Sequence, residues 1–597
     1  MHTPEQAYLR RLEELKKEKL LYRKKGNIIS VFRLVSLISG FLAAYYLFPM
    51  SVGAAIIGFC TFFAVFLRLV VIAVNNSRRI QHIDRQIAIN EDELKLLKHK
   101  FVHRKDGSNL MPALHDYAED LDILGRASLF QYIHRTTSEQ GDRLLASWML
   151  NPAEKDEILL RQDAVKELAP KMVWRQELQS YGAKDLIRSA TEERLLTWNQ
   201  ETHPFFESLQ WNWIRIAGPV IMLSALALHI GGVLSAPYFY LLVFVFFLLS
   251  GYISKKVFPI YSTLNKMSAE MEALSDSIEW IEKGKFTSVF LVQHHQSISD
   301  KEKKASLAIR EFKKILEKMD LRLNPLVFIP LNTFLLWDLQ QLLALKKWKE
   351  EHSGDISLWF RTIAVFESIS SLAALHFNQP NWTFPDISDQ HGNFESKGIG
   401  HPLITSEKRV CSDFSSNHVP GISLITGSNM AGKSTFLRTV GVNMVLAIAG
   451  APVCAAFMRL TPMRIISSMR IADNLEESTS TFYAELKKLK RIIIAVDNHD
   501  KVFLLMDEIL RGTNSRDRHV GSKALIRQLV REKACGIMAT HDLELATLAE
   551  EFPDAIRNYH FDVQVEGEEL YFDYKLKNGI CQSLNASILM KKIGIEV

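Results

Sequence analysis

Cysteine is scarce in this 597-residue chain. Cys60, Cys411, Cys454, Cys535 and Cys581 are scattered with no C-x-x-C spacing, which excludes a cysteine-built metal cluster and reads as reduced thiols of a cytosolic or membrane-embedded protein. A dominant charge sign is also lacking, with 72 Lys+Arg against 67 Asp+Glu. Any basic surface for a polyanion must therefore be local. No internal repeat and no low-complexity tract is present, and the length points to three or four folded units.

Charge itself is missing from two stretches, Leu34 to Leu67 and Ile216 to Ser254, the second interrupted only by His229. A membrane-crossing helix needs about 20 residues, so each stretch is too long for one span and suits a hairpin of two. Pro49-Met50-Ser51-Val52-Gly53 supplies the first turn, and Gly231-Gly232 through Pro237 the second. Arg23, Lys24 and Lys25 precede the first hairpin and Arg78-Arg79 follow it, while Arg215 and Lys255-Lys256 flank the second. By the positive-inside tendency all these flanks face the cytoplasm. The first run begins after a long charged segment and lacks a small-residue cleavage site, so it is not expected to be a signal peptide. The expectation is four transmembrane helices in the cytoplasmic membrane.

What the chain does have is Thr426 to Thr435, TGSNMAGKST. Gly427, four residues and then Gly432-Lys433-Ser434 is the spacing of a phosphate-binding loop. The apolar Ile422-Ser423-Leu424-Ile425 before it reads as a strand and Phe436 to Val440 after it as a helix. Glycines there let backbone N–H groups wrap a polyphosphate at a helix N-terminus. Gly427, Asn429, Met430, Gly432, Lys433, Ser434 and Thr435 are the phosphate-binding candidates, with Lys433 on the β- and γ-phosphates and Ser434 on Mg²⁺.

Val502-Phe503-Leu504-Leu505-Met506-Asp507-Glu508 is a buried-strand pattern ending in two carboxylates. That is a Walker B arrangement, in which Asp507 works through Mg²⁺ and Glu508 orients or deprotonates the attacking water. Gly536 to Thr540 is another apolar strand, ending in His541, placed to sense the γ-phosphate.

The words around these residues are similar to those of the MutS family of DNA mismatch-repair ATPases. DEILRGTNSRD (Asp507 to Asp517) resembles that family's DEIGRGTST-x-D, ATHDLEL (Ala539 to Leu545) its ATH-x-x-EL, and the phosphate loop its TGPNMGGKST. Gly400-His401-Pro402-Leu403, Asp473-Asn474-Leu475 with Ser480-Thr481-Phe482, and Phe572 to Gly579 also resemble family segments, as does Ser128-Leu129 through Ala164-Val165 in the helical part. The resemblance implies an ABC-type P-loop ATPase domain that binds ATP and Mg²⁺ and closes as a homodimer, with Ser480 meeting the γ-phosphate of the opposite subunit and Phe414 stacking on adenine. It also implies DNA as a partner, embraced by long lever helices falling within residues 258–350, including Ser299 to Met319.

Departures from the family pattern are equally plain. The N-terminal mismatch-recognition region is replaced by a charged helix and the first hairpin, and Phe205-Phe206-Glu207 matches the aromatic-x-Glu wedge only as a tripeptide. Ser478-Thr479 stand where Gly-Arg is usual, Arg470 and Arg518 replace glycines, and no terminal helix-turn-helix is expected after Ile593-Gly594-Ile595.

The fold expected is an α/β ABC-type ATPase domain at the C-terminus behind a mostly α-helical core. Its segments are a charged helix over 1–27, transmembrane hairpin 1 over 28–74, a charged juxtamembrane helix and loop over 75–109 and helical core over 110–213. Transmembrane hairpin 2 then covers 214–256, helical lever, core and linker 257–395, and the ATPase 396–597. The function expected is a membrane-anchored ATPase coupling ATP to DNA binding. The alternative is an ABC-like transport or signalling ATPase that no longer binds DNA, against which the absence of an LSGGQ-type segment argues.

Overall fold

The computed structural model describes residues 3–201, 208, 210–299, 304–416, 419–428, 431–469, 481–498, 500–566 and 569–581. It begins with two long helices, α1 (Pro4–Leu47) and α2 (Val52–Leu97), joined at 48–51. At 1.5 Å per residue each is about 65–70 Å long. A capping box starts α1, with Gln6 N–H donating to the Thr3 side chain and the Gln6 side chain accepting from Thr3 N–H. No proline interrupts residues 5–48 or 52–97, so the charged segments and the uncharged run are continuous helices and not separate elements.

The two halves of this hairpin are held differently. Near the body, Lys19 pairs with Asp84 at 2.5 Å and Arg79 with Glu18 at 2.8 Å. Toward the tip, small residues take over: Ser36 Oγ donates to the Phe62 carbonyl at 2.9 Å, and Gly58 lies so close to Leu47 that a Cβ would come within 2.9 Å of it. Small residues let helix backbones approach where water is no driving force. Outward, Phe41, Tyr45, Tyr46, Ile56 and Ile57 are exposed.

Residues 129–378 form a helical body around one core containing Phe130, Trp198, Phe312, Trp348 and Phe366. Where long lever helices were expected, over 258–350, the long helix among the described residues is the inner end of Ala236–Glu282, 47 residues continuous with the second hairpin. Helices Ser268–Glu282, Val289–Ser299, Ala305–Met319, Pro325–Leu335 and Trp337–His352 span 11 to 16 residues each. Ala305–Met319 buries Ile309, Phe312, Ile315 and Leu316 against its neighbours, although Leu307 points outward. Its apolar stripe belongs to a compact bundle.

From this body a second hairpin emerges, Gln210–Ile230 and Ala236–Leu264. His229 closes its turn, with Nδ1 2.9 Å from the Leu234 carbonyl and the ring stacked on Phe239. Among the described residues five helices are long and apolar enough to cross a membrane. Four belong to the hairpins. The fifth, Ile356–Asn378, is buried in the body.

The C-terminal part is α/β. Strands β1 (Asp386–Ile387), β2 (Phe394–Ile399), β3 (Ser412–Ser416) and β5 (Phe457–Leu460) form a small sheet of order β1-β5-β2-β3. Strands β4 (Gly421–Thr426), β6 (Arg464–Ser468), β7 (Val502–Asp507), β8 (Cys535–Thr540), β9 (Ile556–Glu566) and β10 (Glu569–Asn578) form the main sheet, order β10-β9-β4-β8-β7-β6. All its pairings are parallel except β10 with β9. Strands β4, β7 and β8 are buried at every residue, which explains why they read as unbroken apolar runs.

Candidate phosphate-binding and metal site

Because β4, β8 and β7 are adjacent and parallel, their C-terminal ends meet at one edge. Thr426 lies opposite Thr540, and Asp507 opposite Ala539. The residues after those ends, Gly427 onward, His541 and Glu508, are thereby gathered at the crevice where open α/β sheets bind ligands.

The loop after β4 enters the helix Lys433–Ala449. Gly427 has φ 145° and Gly432 φ 101°; a Cβ would meet the Phe561 carbonyl at 2.9 Å at the first and the Tyr574 ring at 3.1 Å at the second. Only glycine accommodates both. Asn429 and Met430 lie outside the described residues. Lys433 is buried, donating from Nζ to the carbonyls of Gly427 at 2.7 Å and Ser428 at 2.9 Å, with His541 Nε2 3.2 Å away. Burial pushes its ammonium down to about 8, although the carboxylates of Glu508 and Asp507 pull the other way.

One residue on, Ser434 donates its hydroxyl to Asp507 Oδ2 at 2.5 Å. Asp507 Oδ1 is buried with no hydrogen-bond partner among the described residues. A hydroxyl beside a carboxylate with a spare buried oxygen is a hard oxygen donor set that fits Mg²⁺. Thr435 lines the adjoining cavity, and its carbonyl accepts from Thr439 Oγ1 at 2.8 Å.

Glu508 takes positive φ (50°), and its N–H donates to the Ala539 carbonyl at 3.0 Å. Its carboxylate pairs with His541 Nε2 on one oxygen, and Arg511 Nε lies 3.2 Å from the other. The hydrogen bond to His541 holds the Glu508 carboxyl below the usual range. An acid and an imidazole in contact beside a lysine-bearing glycine loop can hold and move a proton at the mouth of the site.

Two cavities flank these groups. One of about 410 Å³ is lined by His401, Val410, Ser412, Lys433, Phe561 and Tyr574, among others. The other, of about 310 Å³, is lined by Glu508, Ser515, Arg518, His519, His541 and Asp542, among others. Phe414 lines neither. It is 2% exposed and packs against Phe394, Phe436 and Tyr559 in the core, so the adenine-stacking assignment is not met by this geometry. The inward-facing position of Phe414 on β3 is the reason. Tyr574, half-exposed at a register shift in β10 and against Gly432, is the aromatic that borders the loop.

Glu485 is a further participant that the motifs did not indicate. Buried on the helix Thr481–Asp497, it accepts from the backbone N–H of Leu510 and, at 3.1 Å, of Arg511. It thus caps the turn after Glu508. His401 was legible as part of Gly-His-Pro-Leu without a role; burial pushes its imidazole down to about 4, keeping it neutral in the cavity wall. Ser480, Arg470, Ser478-Thr479, Phe205-Phe206-Glu207 and Ile593-Gly594-Ile595 all lie outside the described residues.

Comparison with known proteins finds two family models on the chain, MutS domain III over residues 115–318 and MutS domain V over residues 423–593. The first range includes the whole second hairpin. The DNA mismatch repair protein MutS of Thermotoga maritima is 31% identical over 240 residues, 39% of this chain and 28% of that protein. The protein of the same name from Persephonella marina is 30% identical over 241 residues, 39% of this chain and 27% of that protein. The matched part thus spans little more than a quarter of the length of these curated relatives.

Proposed function

This chain belongs to the MutS family, and on that premise we propose that it is a membrane-anchored ATPase that couples ATP binding and hydrolysis to DNA binding. The observation that carries the ATPase reading is the convergence of Lys433, the Ser434–Asp507 pair and the Glu508–His541 pair at three neighbouring strand ends. Lys433 meets the β- and γ-phosphates, and the helix N-terminus behind Gly432 adds its unpaired N–H groups. Ser434 and Asp507 hold Mg²⁺, which neutralises charge on the phosphates when bound. Glu508 orients the attacking water and shares its proton with His541, while Arg511 keeps the carboxylate in place. The base lies in the cavity bordered by His401, Val410 and Tyr574.

In this reading Ser480 acts across a homodimer closed by ATP, in an ABC-type arrangement. The four hairpin helices lie in the cytoplasmic membrane. Their exposed apolar flanks and the flanking Arg and Lys residues support that reading, with the ATPase on the cytoplasmic side. DNA binding rests on the names of the relatives. Mismatch recognition is not part of the proposal, since a charged helix and the first hairpin stand where the family's mismatch-recognition region is expected.

A second reading, an ABC-like transport or signalling ATPase without DNA binding, is favoured by the packing of Ala305–Met319 against Trp337–His352 in a compact bundle where a DNA-embracing lever was expected. ATP turnover in lipid nanodiscs, with homoduplex, mismatched and branched DNA over a salt series, separates the two. Salt-dependent stimulation or inhibition by DNA, lost in Lys433→Ala, supports the first reading. Turnover indifferent to every DNA supports the second.

A further inference from the structure

A third apolar element sits beside the second hairpin. Residues Leu323 to Trp337, LNPLVFIPLNTFLLW, carry no charge, but the stretch is too short for a span. It folds as the helix Pro325–Leu335, about 16 Å long. Leu336 then turns the chain with a left-handed backbone (φ 48°), and Trp337–His352 leaves at 76° to it.

Contacts fix the depth of this helix along Ala236–Leu264. Asp320 accepts from the Tyr261 hydroxyl at 2.8 Å, and the Arg322 guanidinium lies over the rings of Phe258, Tyr261 and Phe328. Further along, Asn332 Nδ2 donates to Ser254 Oγ at 3.0 Å, and Leu336 packs against Gly218 next to Phe246. The helix therefore starts level with Tyr261, near the body, advances toward the hairpin tip and stops level with Phe246, where the chain reverses.

Within the helix the polar side chains, Asn332 and Thr333, are buried, and Asn324 at its N-cap is exposed. Arg322 pairs with the fully buried Asp338 at 2.6 Å, Ser254 also donates to Asp338, and Asn332 Oδ1 accepts from Asp338 N–H at 3.0 Å. Outward it shows Leu323, Leu326, Val327 and Ile329, with Leu326 88% exposed. Phe258 of the hairpin, which shares the Arg322 guanidinium with Phe328, is exposed beside it. A helix whose polar side chains are buried while Leu326, Val327 and Ile329 stay exposed suits a hydrocarbon neighbour.

Resting on the membrane reading above, we propose that Pro325–Leu335 is a re-entrant helix inserted in the cytoplasmic leaflet alongside the second hairpin. Its occupant is the bilayer. The helix is half the length of a span, it enters and leaves on the body side, and its apolar face is continuous with the hairpin's own. The Arg322–Asp338 pair closes the neck where the polar body meets the inserted part. A domain carrying both the hairpin and the wedge would be held at a set tilt to the membrane.

Nitroxide labels test this. With exposed Cys60 and Cys411 replaced by serine, single cysteines are placed at Leu326 and Ile329, with Leu241 on the exposed face of the hairpin and Lys347 on the body as references. The full chain is reconstituted in phosphatidylcholine/phosphatidylglycerol nanodiscs, and relaxation by oxygen is compared with relaxation by a water-soluble nickel chelate. The proposal expects an oxygen-to-nickel ratio several-fold higher at 326 and 329 than at 347, approaching that at 241. Nickel accessibility at 326 and 329 equal to that at 347, with 241 still in lipid, overturns the wedge and leaves the anchoring intact. Protection from both reagents at 326 and 329 overturns it in favour of a protein contact. If 241 also reads as water, the membrane reading itself falls.

Discussion

Ser434 and Asp507, 73 positions apart, share a hydrogen bond of 2.5 Å between the first turn of the helix behind the glycine loop and the last residue of β7. On the proposed reading, a divalent ion and the β- and γ-phosphates would be held at that contact. Asp507→Asn and Ser434→Ala are each expected to weaken Mg²⁺-ATP binding by at least tenfold, about 1.4 kcal/mol, while leaving binding of ATP in EDTA nearly unchanged. Titration of a fluorescent ATP analogue with and without Mg²⁺ checks this.

Lys433 makes nucleotide binding pH-dependent. In the free protein its ammonium is held down to about 8 by burial, and contact with phosphate favours the charged form and raises that value. Binding is therefore at full strength below pH 8 and takes up a proton above it. Affinity should fall as pH rises beyond 8, by up to about tenfold per unit. Calorimetry at pH 9 in buffers of different ionisation enthalpy should register the proton uptake, and Lys433→Met should abolish it.

Glu485 positions the turn that carries Glu508 and Arg511 without lining either cavity. Glu485→Ala leaves the Leu510 and Arg511 N–H groups unpaired, a cost of about 1–3 kcal/mol. The expected result is a lower kcat with an unchanged nucleotide Kd, partly restored in Glu485→Gln. An equal loss of binding would mark the residue as merely structural.

Glu93 ties the first hairpin to the body. It accepts from Arg135 Nε and Nη2 at 2.9 and 3.0 Å and from Asn378 Nδ2 at 2.7 Å, while Asn378 also accepts from the Tyr8 hydroxyl at 2.8 Å. Burial alone would raise its carboxyl, but the guanidinium groups of Arg135 and Arg104 overcome this and bring it down to about 2. A depressed carboxyl contributes stability above its unfolded value near pH 4.5, lost as pH falls toward 2. Glu93→Ala strands buried Arg135 and should cost about 3–5 kcal/mol, read as a lower unfolding midpoint in detergent that no longer steepens in acid.

The candidate site at the sheet edge was legible because its residue pattern is written locally. Gly427-x4-Gly432-Lys433-Ser434 is a spacing, and Asp507-Glu508 and His541 each end an apolar run that only a doubly covered strand requires. The two uncharged runs likewise announced helical hairpins. Tertiary packing decided the rest. Nothing near Phe414 in sequence tells which face of β3 is inward, and only the fold brings Glu485 to the turn after Glu508 and Tyr574 to the glycine loop. The lever was expected from family likeness, whereas Phe312 and Trp348 pack Ala305–Met319 and Trp337–His352 into one bundle. The helix within Leu323 to Trp337 is not legible in the sequence because a half-length apolar run has no signature of its own.

The central claim is that Glu508 drives ATP hydrolysis at the Lys433 loop. It is tested most directly by comparing ATP binding and turnover of the full chain in nanodiscs for the native sequence, Glu508→Gln and Lys433→Ala. The account predicts that Glu508→Gln keeps its affinity for ATP and loses turnover by about 10²-fold or more, while Lys433→Ala loses both. Normal hydrolysis by Glu508→Gln would contradict it.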